Sequence, residues 1–148
     1  MTITLTPIPG VVLKQLTTHF DDRGFFREVI RYSDDFFFEG FGQWSHSEKE
    51  QGHFEPEFHV HQYQVDWWYI PYGLMNVVLF DDRQDSDGKF HQFLMGKGQL
   101  AQVLRIPPGV AHNYKVLDGP AGLMYITSMV YNPNDEGRLK LDFDWNKI

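Results

Sequence analysis

An all-β fold is what this sequence predicts, as a sandwich, jelly roll or small barrel, and three observations carry that expectation. Turn-forming residues recur at short spacing, at Pro7 to Gly10, Asp21 to Gly24, Gly40 to Gly42, Pro71 to Gly73, Asp85 to Gly88, Gly96 to Gly98, Pro107 to Gly109 and Asp118 to Gly122. The runs between them, such as "FFREVIRY", "VDWWYI", "LMNVVLF", "KFHQFLM", "AQVLRI" and "LMYITSMVY", are rich in β-branched and aromatic residues and too short for most helices. Several alternate with period 2: Leu123, Tyr125, Thr127 and Met129 fall on one face, and Met124, Ile126, Ser128 and Val130 on the other.

The remaining elements follow in the same way. One helical turn is expected near Ser33 to Phe38, with Ser33 as its cap. The acidic run Asp81, Asp82, Asp85 and Asp87 reads as a solvated hairpin loop, without the spacing of an EF-hand. With 148 residues, 42% of them hydrophobic, and neither repeat nor linker, residues 1–148 read as one domain with a real core. Aromatics at 16% suit strands and a pocket lined by ring faces.

Charge and composition exclude several function classes. A formal net charge of −7 argues against a nucleic-acid partner or an anionic membrane surface, either of which needs a basic patch. The absence of cysteine excludes disulfides and thiolate zinc sites. "MTITLTPIPGVVL" has no basic region before its apolar residues, so no signal peptide is expected, and no apolar run approaches a membrane span. The expectation is a soluble cytoplasmic protein.

The stretch "FHVHQYQVDWWYIPYG" (58–73) carries the chemistry. On a strand, residues i and i+2 share a face, so His59 and His61 project together. "IPPGVAHNY" adds His112 just after a Pro-Gly turn, where a new strand begins. Three histidines converging in a barrel form a ligand-site pattern. Trp67 and Trp68 are adjacent and face opposite ways; Trp67 is a candidate platform for a sugar or base. His19, His46, His53 and His91 read as surface or hydrogen-bonded histidines, and Arg23 could simply pair with Asp21, Asp22 or Glu28 at a turn. Tyr125 and Tyr131 could be ordinary lumen packing.

Here the chain resembles the cupin superfamily, whose fold is a double-stranded β-helix or jelly roll. Gly52, His59-Val60-His61, Asp66 and Gly73 follow the first cupin motif, with aspartate for its glutamate, and Pro107-Pro108-Gly109-Val110-Ala111-His112 fits the second. Under that resemblance His59, His61, Asp66 and His112 could hold Fe, Mn, Ni or Zn, since imidazole plus carboxylate suits such ions. A metal-dependent, dioxygenase-like cupin is therefore one alternative. A non-catalytic sugar-binding cupin is another.

A more specific resemblance is to the dTDP-4-dehydrorhamnose 3,5-epimerases and the related nucleotide-sugar 3,4-ketoisomerases. "DDRGFFRE" (21–28), the spacing of Gln43, Ser45 and Ser47, "RIPPGVAHNYKVL" (105–117) and "MYITSMVYNPNDEGRL" (124–139) carry it, and the F-H-x-H strand is similar to that of the ketoisomerases. What the resemblance implies is proton abstraction next to the ketone of a nucleotide-diphosphate-linked 4-keto-6-deoxyhexose, without cofactor, by a cytoplasmic homodimer. His61, or His59, would be the base and Tyr125 the acid, roles that imidazole and phenol chemistry suit. Arg23, Phe26 and Glu28 would contact the nucleotide from the neighbouring subunit, with Gln43, His112 and Tyr131 in the pocket. The chain departs from the epimerases at two cations: Glu55 stands at their phosphate-binding arginine and Asp66 at their lysine. Their C-terminal aspartate, which orients the catalytic histidine, is expected to be missing because the chain stops at Ile148. A ketoisomerase-like or altered-substrate enzyme fits these departures better than a strict 3,5-epimerase.

Overall fold

The computed structural model describes residues 2–148. Eleven strands and one short 3-10 helix make up its regular structure. In chain order the strands are β1 (Thr2–Leu5), β2 (Val12–Gln15), β3 (His19–Asp21), β4 (Gly24–Phe26), β5 (Gln43–Lys49) and β6 (Phe58–His61). There follow β7 (Asp66–Asp81), β8 (Phe90–Gly96), β9 (Gln102–Ile106), β10 (Val110–Thr127) and β11 (Glu136–Leu139). The cupin jelly roll expected from the sequence is the architecture observed.

Its frame is the antiparallel pair β7 and β10, which run from Val110 opposite Asp81 to Thr127 opposite Asp66. At one end this ribbon is flanked by β9 and β5, with β2 and β1 beyond β9; at the other it is flanked by β8 and β6, with β11 beyond β6. The two ends are two facing layers, joined where the ribbon bends through register shifts between Val116 and Met124. Two apparent turns, Pro71 to Gly73 and Asp118 to Gly122, therefore lie inside continuous strands. The same residues that favour turns also favour bulges, which bend a strand without ending it. Gly73 has φ +74°, and a Cβ there would lie 2.4 Å from the Cβ of Ala121, so only glycine fits the bend.

Period-2 alternation divides the apolar residues among three clusters. Trp68, Ile70, Met75, Val77, Leu79, Leu104, Val116 and Leu123 meet between the layers. Trp67 turns outward with Val103 and Leu16 and is covered by Phe36 and Phe37. Its indole donates to the Phe36 carbonyl at 3.0 Å. Phe58, Val78 and Ala111, on the outside of the second layer, are covered by Leu139, Leu141, Phe143 and Trp145 near the C-terminus.

The expected helical turn is a 3-10 helix at Asp35–Phe37 with Asp34, not Ser33, at its N-cap position. Asp34 makes no capping bond, because its carboxylate accepts from the buried Lys14 ammonium at 2.6 Å and from the Arg31 backbone at 2.8 Å. "FFREVIRY" is strand only up to Phe26; beyond it the chain is irregular and covers the Trp67 face. Asp81 is no part of the solvated loop: it is buried at the end of β7 and accepts from Arg83 at 2.8 Å.

Candidate active site

Between the layers lies a cavity of about 270 Å³. β6 contributes His59 and His61, β10 contributes His112 and Tyr125, and β7 contributes Asp66 and Trp68. The inward row of β5 contributes Gln43, Ser47 and Lys49. The three imidazoles meet here: ring centroids of His61 and His112 are 5.5 Å apart and nearly parallel, and those of His59 and His112 are 6.3 Å apart. His59 and His112 are register partners on adjacent strands, which explains how distant parts of the chain converge. Trp68 stands edge-on to His112 at 5.2 Å.

The two strand histidines differ in surroundings. His59 Nδ1 lies 3.0 Å from Glu136 Oε1, and its ring is 32% exposed, which leaves Nε2 for the cavity. His61 is deeper. Its Nδ1 lies 3.4 Å from Asp135 Oδ2, out of hydrogen-bond alignment, so this buried nitrogen has no hydrogen-bond partner. Its Nε2 is 3.3 Å from the Gln64 amide. Asp135 is fixed by the backbone N–H groups of Tyr63 and Gln64, at 2.8 and 3.1 Å. Glu136 opens β11, whose pairing with β6 sets Glu136 opposite His61 and Arg138 opposite His59, and Asp135 immediately precedes that strand.

Burial sets the protonation of the remaining groups. Loss of water holds the His112 imidazole down at about 4; Asp66 opposes this and the His61 ring adds to it. His112 is therefore neutral at physiological pH. Its Nδ1 lies 3.2 Å from the Val110 carbonyl, so Nδ1 carries the proton and Nε2 the lone pair. Burial raises the Tyr125 hydroxyl, with the cross-strand Ser45 acting in the opposite sense. Burial, with the Glu55 charge, pushes Tyr114 up to about 12. Both phenols are protonated.

Ligand atoms of His61, Asp66 and His112 lie within 4.8 Å of one another, but His59 stands apart on Glu136, so the four-residue metal set expected from the cupin motif is not assembled. Asp66 already accepts two N–H bonds, from the Gln64 amide at 2.8 Å and the Trp68 indole at 3.0 Å. This donor set does not fit a four-ligand metal centre.

The dTDP-4-dehydrorhamnose 3,5-epimerase family model matches residues 5–146. The chain belongs to the dTDP-4-dehydrorhamnose 3,5-epimerase family. It is thus an enzyme of the isomerase class, of the dTDP-sugar 3,5-epimerase or isomerase type. It is 43% identical to the spore coat polysaccharide biosynthesis protein SpsL of Bacillus subtilis, over 94% of this chain and 97% of that protein. It is 32% identical to a probable low-salt glycan biosynthesis epimerase of Haloferax volcanii, over 94% and 95%. The crystal structure of a dTDP sugar isomerase from Desulfovibrio desulfuricans superposes with a TM-score of 0.87 at 25% identity, covering 98% of this chain and 96% of that one.

The epimerase-family motifs divide in space. Gln43 and Tyr131 are together: the Gln43 side chain accepts the Tyr131 backbone N–H at 3.0 Å, and Tyr131 sits at the cavity rim, 59% exposed. Arg23, Phe26 and Glu28 lie on or beside the exposed β3–β4 hairpin, away from their own chain's cavity; Arg23 pairs with Asp21 at 2.5 Å and Glu28 with Arg31. Trp67 is a correction: it is buried on the outer face, and Trp68 is the cavity tryptophan, because Asp66 and Trp68 share the inward phase of β7. The carboxylates beside the strand histidines are Glu136 at His59 and Asp135 near His61. Their signal was "NPNDEG", inside a segment already matched to the family, but only pairing of β11 with β6 brings them to the imidazoles. Of the two departures, Glu55 is on the cavity wall with its carboxylate 3.1 Å from His53 Nε2, whereas Asp66 faces the imidazoles.

Proposed function

We propose that the cavity binds a dTDP-linked 4-keto-6-deoxyhexose and isomerises it through an enolate, with His59 as base and Tyr125 as acid. The observation that carries this reading is the His59–Glu136 pair in one cavity with a protonated tyrosine. The ketone acidifies the adjacent C–H. His59 Nε2 removes that proton while Glu136 stabilises the imidazolium through Nδ1–H. Tyr125, kept protonated by burial, delivers a proton to the enolate. Of the two strand histidines His59 is the better base, because its ring is open to the cavity while His61 is buried against Gln64.

The reading extends to a reaction without metal, one functional domain over the chain, and a cytoplasmic homodimer in which the hairpin carrying Arg23 and Phe26, with Glu28 beyond it, reaches the neighbour's substrate. Family membership and the dTDP-sugar names of its relatives support the substrate class. The test is incubation with dTDP-4-keto-6-deoxyglucose in D₂O, followed by NMR. Deuterium is expected at the carbon next to the ketone, and the position of label and carbonyl distinguishes 3,5-epimerisation from 3,4-keto transfer. His59→Asn lowers exchange by about 10²- to 10⁴-fold. No exchange by the wild-type protein overturns the reading.

A further inference from the structure

We infer that Lys49 is the diphosphate-binding residue of this enzyme, replacing the cations that Glu55 and Asp66 displace. This rests on the substrate class proposed above. A sugar nucleotide brings a dianionic diphosphate to a cavity whose lining includes Glu55, Glu57, Asp66 and Glu136. Such a group needs a cation there. Among the described residues, Lys49 is the one lysine or arginine on that lining, and none of their ion pairs engages it.

Its place in the sheet fits the substrate's shape. Gln43, Ser45, Ser47 and Lys49 form the inward row of β5, alternating with the exposed Trp44, His46 and Glu48. Gln43 is tied to Tyr131 at one end, Ser45 is the cross-strand partner of Tyr125, and Lys49 ends the row. Lys49 lies four residue steps along the strand from Ser45, about 13 Å between their Cα atoms. A sugar ring lying at His59 and Tyr125 then carries its anomeric phosphate toward the Lys49 end, within reach of a flexible ammonium. At that end Glu55 is turned to His53, so it does not hold the lysine.

Titration calorimetry with dTDP and with thymidine tests this on wild type, Lys49→Gln, Lys49→Met and Lys49→Arg, with thermal melting to confirm folding. A lost charge-assisted contact weakens dTDP binding by about 10- to 100-fold in the two neutral variants. Lys49→Arg stays near wild type, and thymidine binds all four equally. The dTDP affinity of wild type falls with added salt more steeply than that of the neutral variants. Equal dTDP affinity in wild type and the neutral variants overturns the Lys49 assignment alone. Parallel loss of thymidine binding overturns it too, showing a structural role. Failure of wild type to bind dTDP overturns the substrate class and this assignment with it.

Discussion

His59 and His61 each have a carboxylate near Nδ1, and their difference in depth separates the roles open to them. Glu136 at 3.0 Å orients an open ring, so Glu136→Gln is expected to lower solvent-deuterium exchange by about 10- to 100-fold while leaving dTDP affinity within a few-fold, as calorimetry will show. His112 gives a prediction about stability. Its folded value of about 4 lies below the ordinary 6.5, so between these values the unfolded chain binds more protons and stability rises with pH. The contribution is present above about pH 6.5 and is lost as pH falls toward 4, amounting to up to about 3 kcal/mol. Urea unfolding of wild type between pH 7 and pH 4.5 should show this slope, and His112→Gln should flatten it. An unchanged slope in the variant means another group is responsible.

At the scale of elements, the β7–β10 ribbon does most to position the site, since both strands cross from one layer to the other. Its bend depends on Gly73. Gly73→Ala places a methyl 2.4 Å from Ala121 in a left-handed conformation and is expected to cost at least about 2 kcal/mol. Gly88 shares the positive φ, at +66°, but a Cβ there meets nothing within 4 Å, so Gly88→Ala costs only about 1 kcal/mol. Denaturant midpoints of the two variants compare steric contact with backbone strain directly. The same ribbon shows why strand identity was legible and strand continuity was not. Alternation marks faces correctly over 123–127, where β10 ends, and sets Trp67 and Trp68 on opposite faces, yet a Pro-Tyr-Gly segment reads the same whether the chain turns or bulges. The choice depends on the partner strand. The segment after Phe26 departs from the expected strand for a related reason: its apolar residues cover the Trp67 face, so they need burial but no ladder.

For the whole molecule, the acidic balance and the exposed hairpin bear on assembly. Phe20, Phe25 and Phe26 are more than half exposed on β3 and β4, which pair only with each other. An exposed apolar hairpin of this kind suits the neighbour-reaching arm of the proposed dimer. Light scattering should therefore give twice the chain mass of 17.4 kDa, and Phe20→Ser/Phe26→Ser should shift the mass toward one chain. A wild-type mass of one chain removes the arm from the site.

The sequence alone determined an all-β class and a shared face for His59 and His61, because period-2 alternation and spaced turn residues are local properties of the chain; the jelly roll and the family were legible through its resemblance to known motifs. Only the tertiary structure decided which tryptophan faces the cavity, that Asp135 and Glu136 back the histidines, and that Lys49 is the lysine or arginine on the described lining. Each of those depends on which strands pair and in what register, and a register is set by contacts between residues far apart in the chain.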